Sequence, residues 1–230
     1  MFSLANLLTA LNLICGSLAV IFILQESYEI AFWLLILAAV VDFLDGWVAR
    51  KLQQESELGT QLDSLADVIS FGLAPGCIAF QLFQVQNMSE QVPGILAYVG
   101  LLLPVMSAFR LARFNLKTSH VPVNFEGLPT PAMGLFFAGL LSIVIHPSEL
   151  ISKVFHPMVI LFLVVLFSWL MISKISILKI KQTRAWMQEH FLLILIMVGS
   201  LVSYFWVKEM ALSISIALYI LYCLTRKFST

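Results

Sequence analysis

Residues 42–67 read DFLDGWVARKLQQESELGTQLDSLAD, and this stretch holds Asp42, Asp45, Asp63 and Asp67, all the aspartates of a 230-residue chain. On both sides the sequence is apolar enough to be buried in a lipid bilayer. A lone carboxylate at the centre of a membrane helix costs roughly 2.5 to 3.5 kcal/mol on insertion scales, so a cluster of them needs compensation, and few cations stand nearby to give it. Bound metal ions would supply the missing charge. Asp42 and Asp45 are three residues apart and Asp63 and Asp67 four, so each pair projects from one face of its helix. Two helices then offer four hard oxygen ligands to a shared point, a donor set suited to divalent Mg²⁺ or Mn²⁺.

Over the whole chain 60% of residues are hydrophobic and 11% charged, where a soluble domain carries about a quarter charged. Apolar runs long enough to cross a bilayer recur at 7–24, 30–49, 63–83, 93–113, 130–146, 155–173, 191–207 and 210–224. The expectation is an all-α integral membrane protein with about eight transmembrane helices and, the count being even, both termini on one side. With the N-terminus inside, the inner loops and tail hold Arg50, Lys51, Arg110, Arg113, Lys117, Lys174, Lys179, Lys181, Arg184, Arg226 and Lys227, and the outer loops only Lys153 and Lys208. Cytoplasmic loops carry such an excess of cations, so both termini are expected in the cytoplasm and the aspartates near the inner headgroup level. The stretch 114–129 reads as a cytoplasmic loop and 174–189 as a basic surface segment. Cys15, Cys77 and Cys223 stand isolated in apolar segments and read as small hydrophobes. Without a basic n-region or cleavage site, the first apolar run reads as a retained span.

Spelled with its gaps, the window is Asp42-x2-Asp45-Gly46-x2-Ala49-Arg50-x8-Gly59-x3-Asp63-x3-Asp67. It resembles the signature of the CDP-alcohol phosphatidyltransferases at all eight defined positions. Gly46 and Ala49 share the face of the first aspartate pair, and their lack of bulk lets a nucleotide lie against the helix. Arg50 can meet a phosphate or base, and Gly59 can turn the chain between helices. The resemblance implies that Asp42, Asp45, Asp63 and Asp67 coordinate two divalent ions, Mg²⁺ or Mn²⁺, gripping the diphosphate of CDP-diacylglycerol. It makes Asp67 the proton acceptor as well. It also implies that Asn6, Thr9, Gly46, Ala49, Arg50, Ser56 and Gly59 form the CDP-diacylglycerol site, although a cap or polar loop accounts equally for Asn6, Thr9 and Ser56. A six-helix core over 1–175, a basic segment with two further helices over 176–230, a homodimer and a prokaryotic cytoplasmic membrane complete what it implies.

Three further strings, SAFRLARFN at 107–115, FEGLPTP at 125–131 and LMISK at 170–174, resemble the branch of that family whose acceptor is serine. Arg110 and Arg113 are three residues apart and can floor a cationic pocket for a carboxylate. Asn115 and Glu126 could address the ammonium of L-serine, and Lys174 could add to the rim. The reaction so implied is CDP-diacylglycerol plus L-serine giving phosphatidylserine and CMP. Glycerol-3-phosphate or an inositol phosphate would satisfy the same arginines, so charge alone leaves the acceptor open. A divalent-cation carrier would also explain buried carboxylates, but it gains nothing from the fixed spacing of Gly46, Ala49, Arg50 and Gly59.

Overall fold

Helix α1 (Leu4–Leu24) begins where the Ser3 side chain accepts a hydrogen bond from the Asn6 backbone N–H at 3.1 Å, a side-chain N-cap. Its Leu4, Leu7, Leu11, Ile14, Leu18 and Ile21 recur at helical spacing and are exposed, while Ala5, Thr9, Asn12, Cys15, Gly16 and Ala19 are buried. Small and polar residues inside with large apolar ones outside is the pattern of a helix whose solvent is lipid. After a turn in which Glu26 takes φ 60°, α2 (Tyr28–Lys51) returns alongside α1 and ends on Arg50 and Lys51. Those cations complement the partial negative charge of the helix end. The computed structural model describes residues 3–53, 56–87, 92–118, 127–147, 154–173, 199 and 208–227.

Ser56 starts the next element by accepting from the Gly59 N–H at 3.0 Å. From there α3 (Glu57–Val68), a π-helical turn (Ile69–Leu73) and α4 (Ala74–Gln86) form one 30-residue rod. In the wide turn Ala74 N–H bonds to Ile69 O, five residues back. Pro75 follows at once, and because it has no N–H, the regular ladder would have lost a bond here in any case. A 3₁₀ stretch (Gly94–Leu101) leads into α5 (Leu102–Thr118), and α6 (Thr130–Leu140), α7 (Ser142–Ile145), α8 (Pro157–Ile172) and α9 (Met210–Lys227) follow. The core lies between them. Phe71, Phe83, Phe137, Leu103, Leu128 and Met133 are fully buried, and the Phe136 and Phe167 rings stack at 4.2 Å. α9 is tied to α6 by Ser213 Oγ donating to Phe136 O at 2.6 Å. Interhelical bonds of this kind average only about 0.6 kcal/mol in membranes, so side-chain packing carries most of the association.

Every element among the described residues is helical. Leu4–Leu24, Tyr28–Lys51, Glu57–Gln86 and Gly94–Leu116 are long and apolar enough to cross a membrane, and Thr130–Ile145, Pro157–Ile172 and Met210–Cys223 are shorter apolar helices. These coincide with all the expected spans except 191–207, which, like the 174–189 segment, lies outside the described residues apart from Gly199. Lys208 takes φ 50°, and α9 begins two residues after it, at Met210. Two boundaries depart furthest from expectation. The third span begins at Glu57 rather than 63, because the Ser56 cap sustains a polar first turn. The α5 helix runs to Thr118, which puts Asn115 and Lys117 in helix rather than in the expected loop at 114–129, since the first helix breaker downstream is Pro122.

Candidate active site

The acidic side chains separate into a trio and a neighbour. Asp42 from α2 and Asp63 and Asp67 from α3 each bring one carboxylate oxygen to within 4.8 Å of the others. The carboxyl groups of Asp42 and Asp67 are within hydrogen-bonding reach of one another. Two carboxylates this close repel unless a proton or cation lies between them. Asp45 is not in the trio. One turn along α2 it is 5% exposed, faces Thr9, and its Oδ2 has no hydrogen-bond partner among the described residues. The same holds for Oδ1 of Asp67, which is 6% exposed. Buried anionic oxygens without donors, gathered on two helices, fit a hard divalent cation. The structure thus replaces the expected single meeting point of four aspartates by three at one point and the fourth beside it.

Beside the trio opens a cavity of about 270 Å³, lined by Ala5, Asn6, Thr9, Asp45, Gly46, Ala49, Arg50, Ser56, Gly59, Thr60 and Asp63. All the residues expected to form the CDP-diacylglycerol site are on its wall. Asp63 belongs to both trio and cavity, so the two are continuous. Local chemistry builds the wall. A Cβ on Gly46 would come within 3.3 Å of Arg50 Nη1, so the guanidinium lies across the bare backbone of that turn. A Cβ on Gly59 would stand 3.0 Å from Asn6 Oδ1, so the first turns of α1 and α3 meet there. Ser56 is the cap of α3, whereas α1 is capped by Ser3 and not by Asn6, and the Thr9 hydroxyl bonds to Ala5 O at 3.1 Å. Two helix N-termini therefore converge on one cavity, and their partial positive charge together with Arg50 favours an anionic guest. Spacing within the window gave no sign of this convergence, which depends on where α1 crosses α3.

The residues expected to bind the acceptor are more scattered. Arg110 on α5 donates from Nη1 to Thr130 Oγ1 at 2.9 Å, and its charge faces Asp67. Its Nε is buried without a partner among the described residues. Arg113, three residues on, donates instead to Ile172 O at 3.3 Å at the end of α8. Asn115 Nδ2 donates to Ser64 Oγ at 2.9 Å, on the helix of Asp63 and Asp67. Gly127, at φ 80°, packs against Met171 and Ser173, which docks the start of α6 on the end of α8. Glu126 and Lys174 lie outside the described residues. Sequence reasoning missed Thr130, fully buried against Arg110, and Asn12, whose Nδ2 donates to Asp42 Oδ1 at 3.4 Å. A further polar side chain in a largely apolar helix, one turn past Thr9 and nearly two past Asn6, was the available signal for the second.

The family model for CDP-alcohol phosphatidyltransferases matches residues 2–221. A Helicobacter pylori protein named CDP-diacylglycerol–serine O-phosphatidyltransferase is 32% identical over 223 residues, 96% of this chain and 89% of its own length. Proteins of the same name from Bacillus subtilis, 31% identical over 74% of this chain and 86% of theirs, and Methanocaldococcus jannaschii, 34% identical over 76% and 73%, match as well.

Proposed function

The chain belongs to the CDP-alcohol phosphatidyltransferase family, and from that premise we infer that it is the enzyme that moves the phosphatidyl group of CDP-diacylglycerol onto the hydroxyl of L-serine, releasing CMP. The observation that carries the reaction class is the wall shared by trio and cavity: Asp63 stands in both, so a diphosphate in the cavity reaches the acidic cluster. The acceptor rests on the names of relatives in three lineages and on a cation, Arg110, beside Asp67.

Asp42, Asp45, Asp63 and Asp67 would hold divalent ions, two of them in this reading and either Mg²⁺ or Mn²⁺. When bound, such ions neutralise the pyrophosphate and the charge growing on the departing nucleotide. The protein's own residues do the rest. Arg50 and the N-terminal turns of α1 and α3 grip the cytidine diphosphate, and Gly46 and Ala49 leave it room to lie on α2. Arg110 takes the serine carboxylate with Arg113 adding positive charge, Asn115 and Glu126 would address the ammonium, and Lys174 would add to the rim. The serine hydroxyl oxygen attacks the phosphorus that carries diacylglycerol, and the bond from that phosphorus to the CMP phosphate oxygen breaks. CMP leaves with the bonding electrons, and Asp67 takes the hydroxyl proton. The excess of cations on one set of loops supports a site facing the cytoplasm of a prokaryotic inner membrane, with both termini on that side. We also assign the enzyme a homodimeric state.

CMP release by purified protein given CDP-diacylglycerol and Mn²⁺ tests this, with serine, glycerol-3-phosphate and inositol phosphate offered in parallel. Serine-dependent release, abolished by chelator and restored by Mn²⁺ or Mg²⁺, is the expected outcome. Release with a phosphorylated acceptor alone would move the assignment to that alcohol, and none at all would overturn it.

A further inference from the structure

Asn12 and Ser70 take no part in the reaction as proposed, yet both are fully buried and they touch each other. Apart from Ser213, which reaches Phe136 O, hydroxyls in these helices typically bond to the carbonyl one turn back on their own helix: Thr9 to Ala5 O, Ser17 to Leu13 O, Ser107 to Leu103 O. That is the usual fate of a serine or threonine in a membrane helix. Ser70 does otherwise. Sitting in the π-helical turn that follows Asp67, it reaches across to α1 and places its Oγ 2.8 Å from Asn12 Oδ1 and 3.1 Å from Asn12 O. The backbones are close here because Gly16 leaves the space free. A Cβ on Gly16 would overlap the Ser70 hydroxyl and lie 2.6 Å from Ser70 Cα.

The bond orients the amide. With its oxygen accepting from Ser70, Asn12 can turn only its NH₂ toward α2, and that group donates to Asp42 Oδ1 at 3.4 Å. The flipped amide would set a carbonyl oxygen against a carboxylate, two acceptors face to face. A neutral donor also steadies Asp42 without adding charge, whereas a lysine here would offset the acidity that attracts a cation. We propose that Asn12, held by Ser70, is a positioning residue that fixes the Asp42 carboxylate in the orientation the metal needs. This rests on the metal-binding reading of the acidic trio. Partners behind a ligand commonly set metal affinity by a factor of about 10 to 100.

Mn²⁺ titrated into purified protein and followed by electron paramagnetic resonance reads occupancy without turnover, and thermal unfolding in chelator reads the fold alone. Asn12→Ala is expected to weaken Mn²⁺ binding about 10- to 100-fold. Ser70→Ala removes one oxygen from a crowded contact, so it keeps the question answerable if Asn12→Ala does not fold; it is expected to weaken binding in the same direction by a smaller factor. Because Ser70 acts through Asn12, the double variant should bind no worse than Asn12→Ala. Variants that bind Mn²⁺ like the wild type and only unfold at lower temperature would overturn the proposal. Wild-type protein that binds no Mn²⁺ would instead remove the metal-binding reading beneath it, and this inference with it.

Discussion

The nucleotide side and the acceptor side of this molecule use the same kind of sequence signal and arrive at different geometry. On the nucleotide side, Asp45, Gly46, Ala49 and Arg50 from one helix and Ser56, Gly59 and Asp63 from the next line a single cavity. On the acceptor side, Arg110 and Arg113 have the i,i+3 spacing that should pair them, yet one bonds to Thr130 with its charge toward Asp67 and the other bonds to the end of α8. Spacing shows which residues leave a helix on one face. It does not show how many partners share that face: α2 and α3 are consecutive elements with five residues between them, whereas α5 is met by α3, α6 and α8.

The largest effect expected on that contrast is at the point both sides share. Asp67→Asn should lower CMP release by about 10² to 10⁴, the usual weight of a general base, with helix content and thermal unfolding unchanged. Within the acceptor side, Arg110→Ala should cost more than Arg113→Ala in kcat/KM for serine. Both side chains are half-buried, but the Arg110 bond to Thr130 is sheltered and lies on the Asp67 side, whereas the Arg113 bond to Ile172 O is open to solvent. Losing a sheltered, bonded charge costs about 2 kcal/mol or more, roughly 30-fold in rate, while a solvent-screened one is worth about 1 kcal/mol or less. Equal losses in the two variants would erase the distinction drawn here. On the nucleotide side, Arg50→Ala should raise KM for CDP-diacylglycerol about tenfold and leave KM for serine unchanged, as expected for one charge-assisted bond to a phosphate. The smallest change is Thr130→Val, which frees the Arg110 guanidinium from a single hydrogen bond and should lower kcat/KM for serine about fivefold.

Hydropathy located the described spans because lipid exposure demands long apolar runs, and the exposed leucines of α1 meet that demand. The metal-suited cluster was legible because its members are few, charged and confined to adjoining helices. What spacing misjudged was depth and direction. Asp45 stands beside the trio, not in it, because one helical turn moves it along α2 to the level of Thr9. The π-helical turn at Ile69–Leu73 left no apolar-period signature: it lies beside Pro75 and carries the Ser70–Asn12 contact, and hydropathy spacing registers neither. Asn12 was passed over because a lone amide in a span has many innocuous explanations, and only its two bonds single it out.

The Ser3 cap has a practical corollary for anyone expressing this protein. Ser3 fixes the first turn of α1, and that same turn supplies Ala5 and Asn6 to the cavity wall. An affinity tag or fluorescent fusion placed immediately before Ser3 would therefore hang a few residues from the cavity wall, crowding substrate entry.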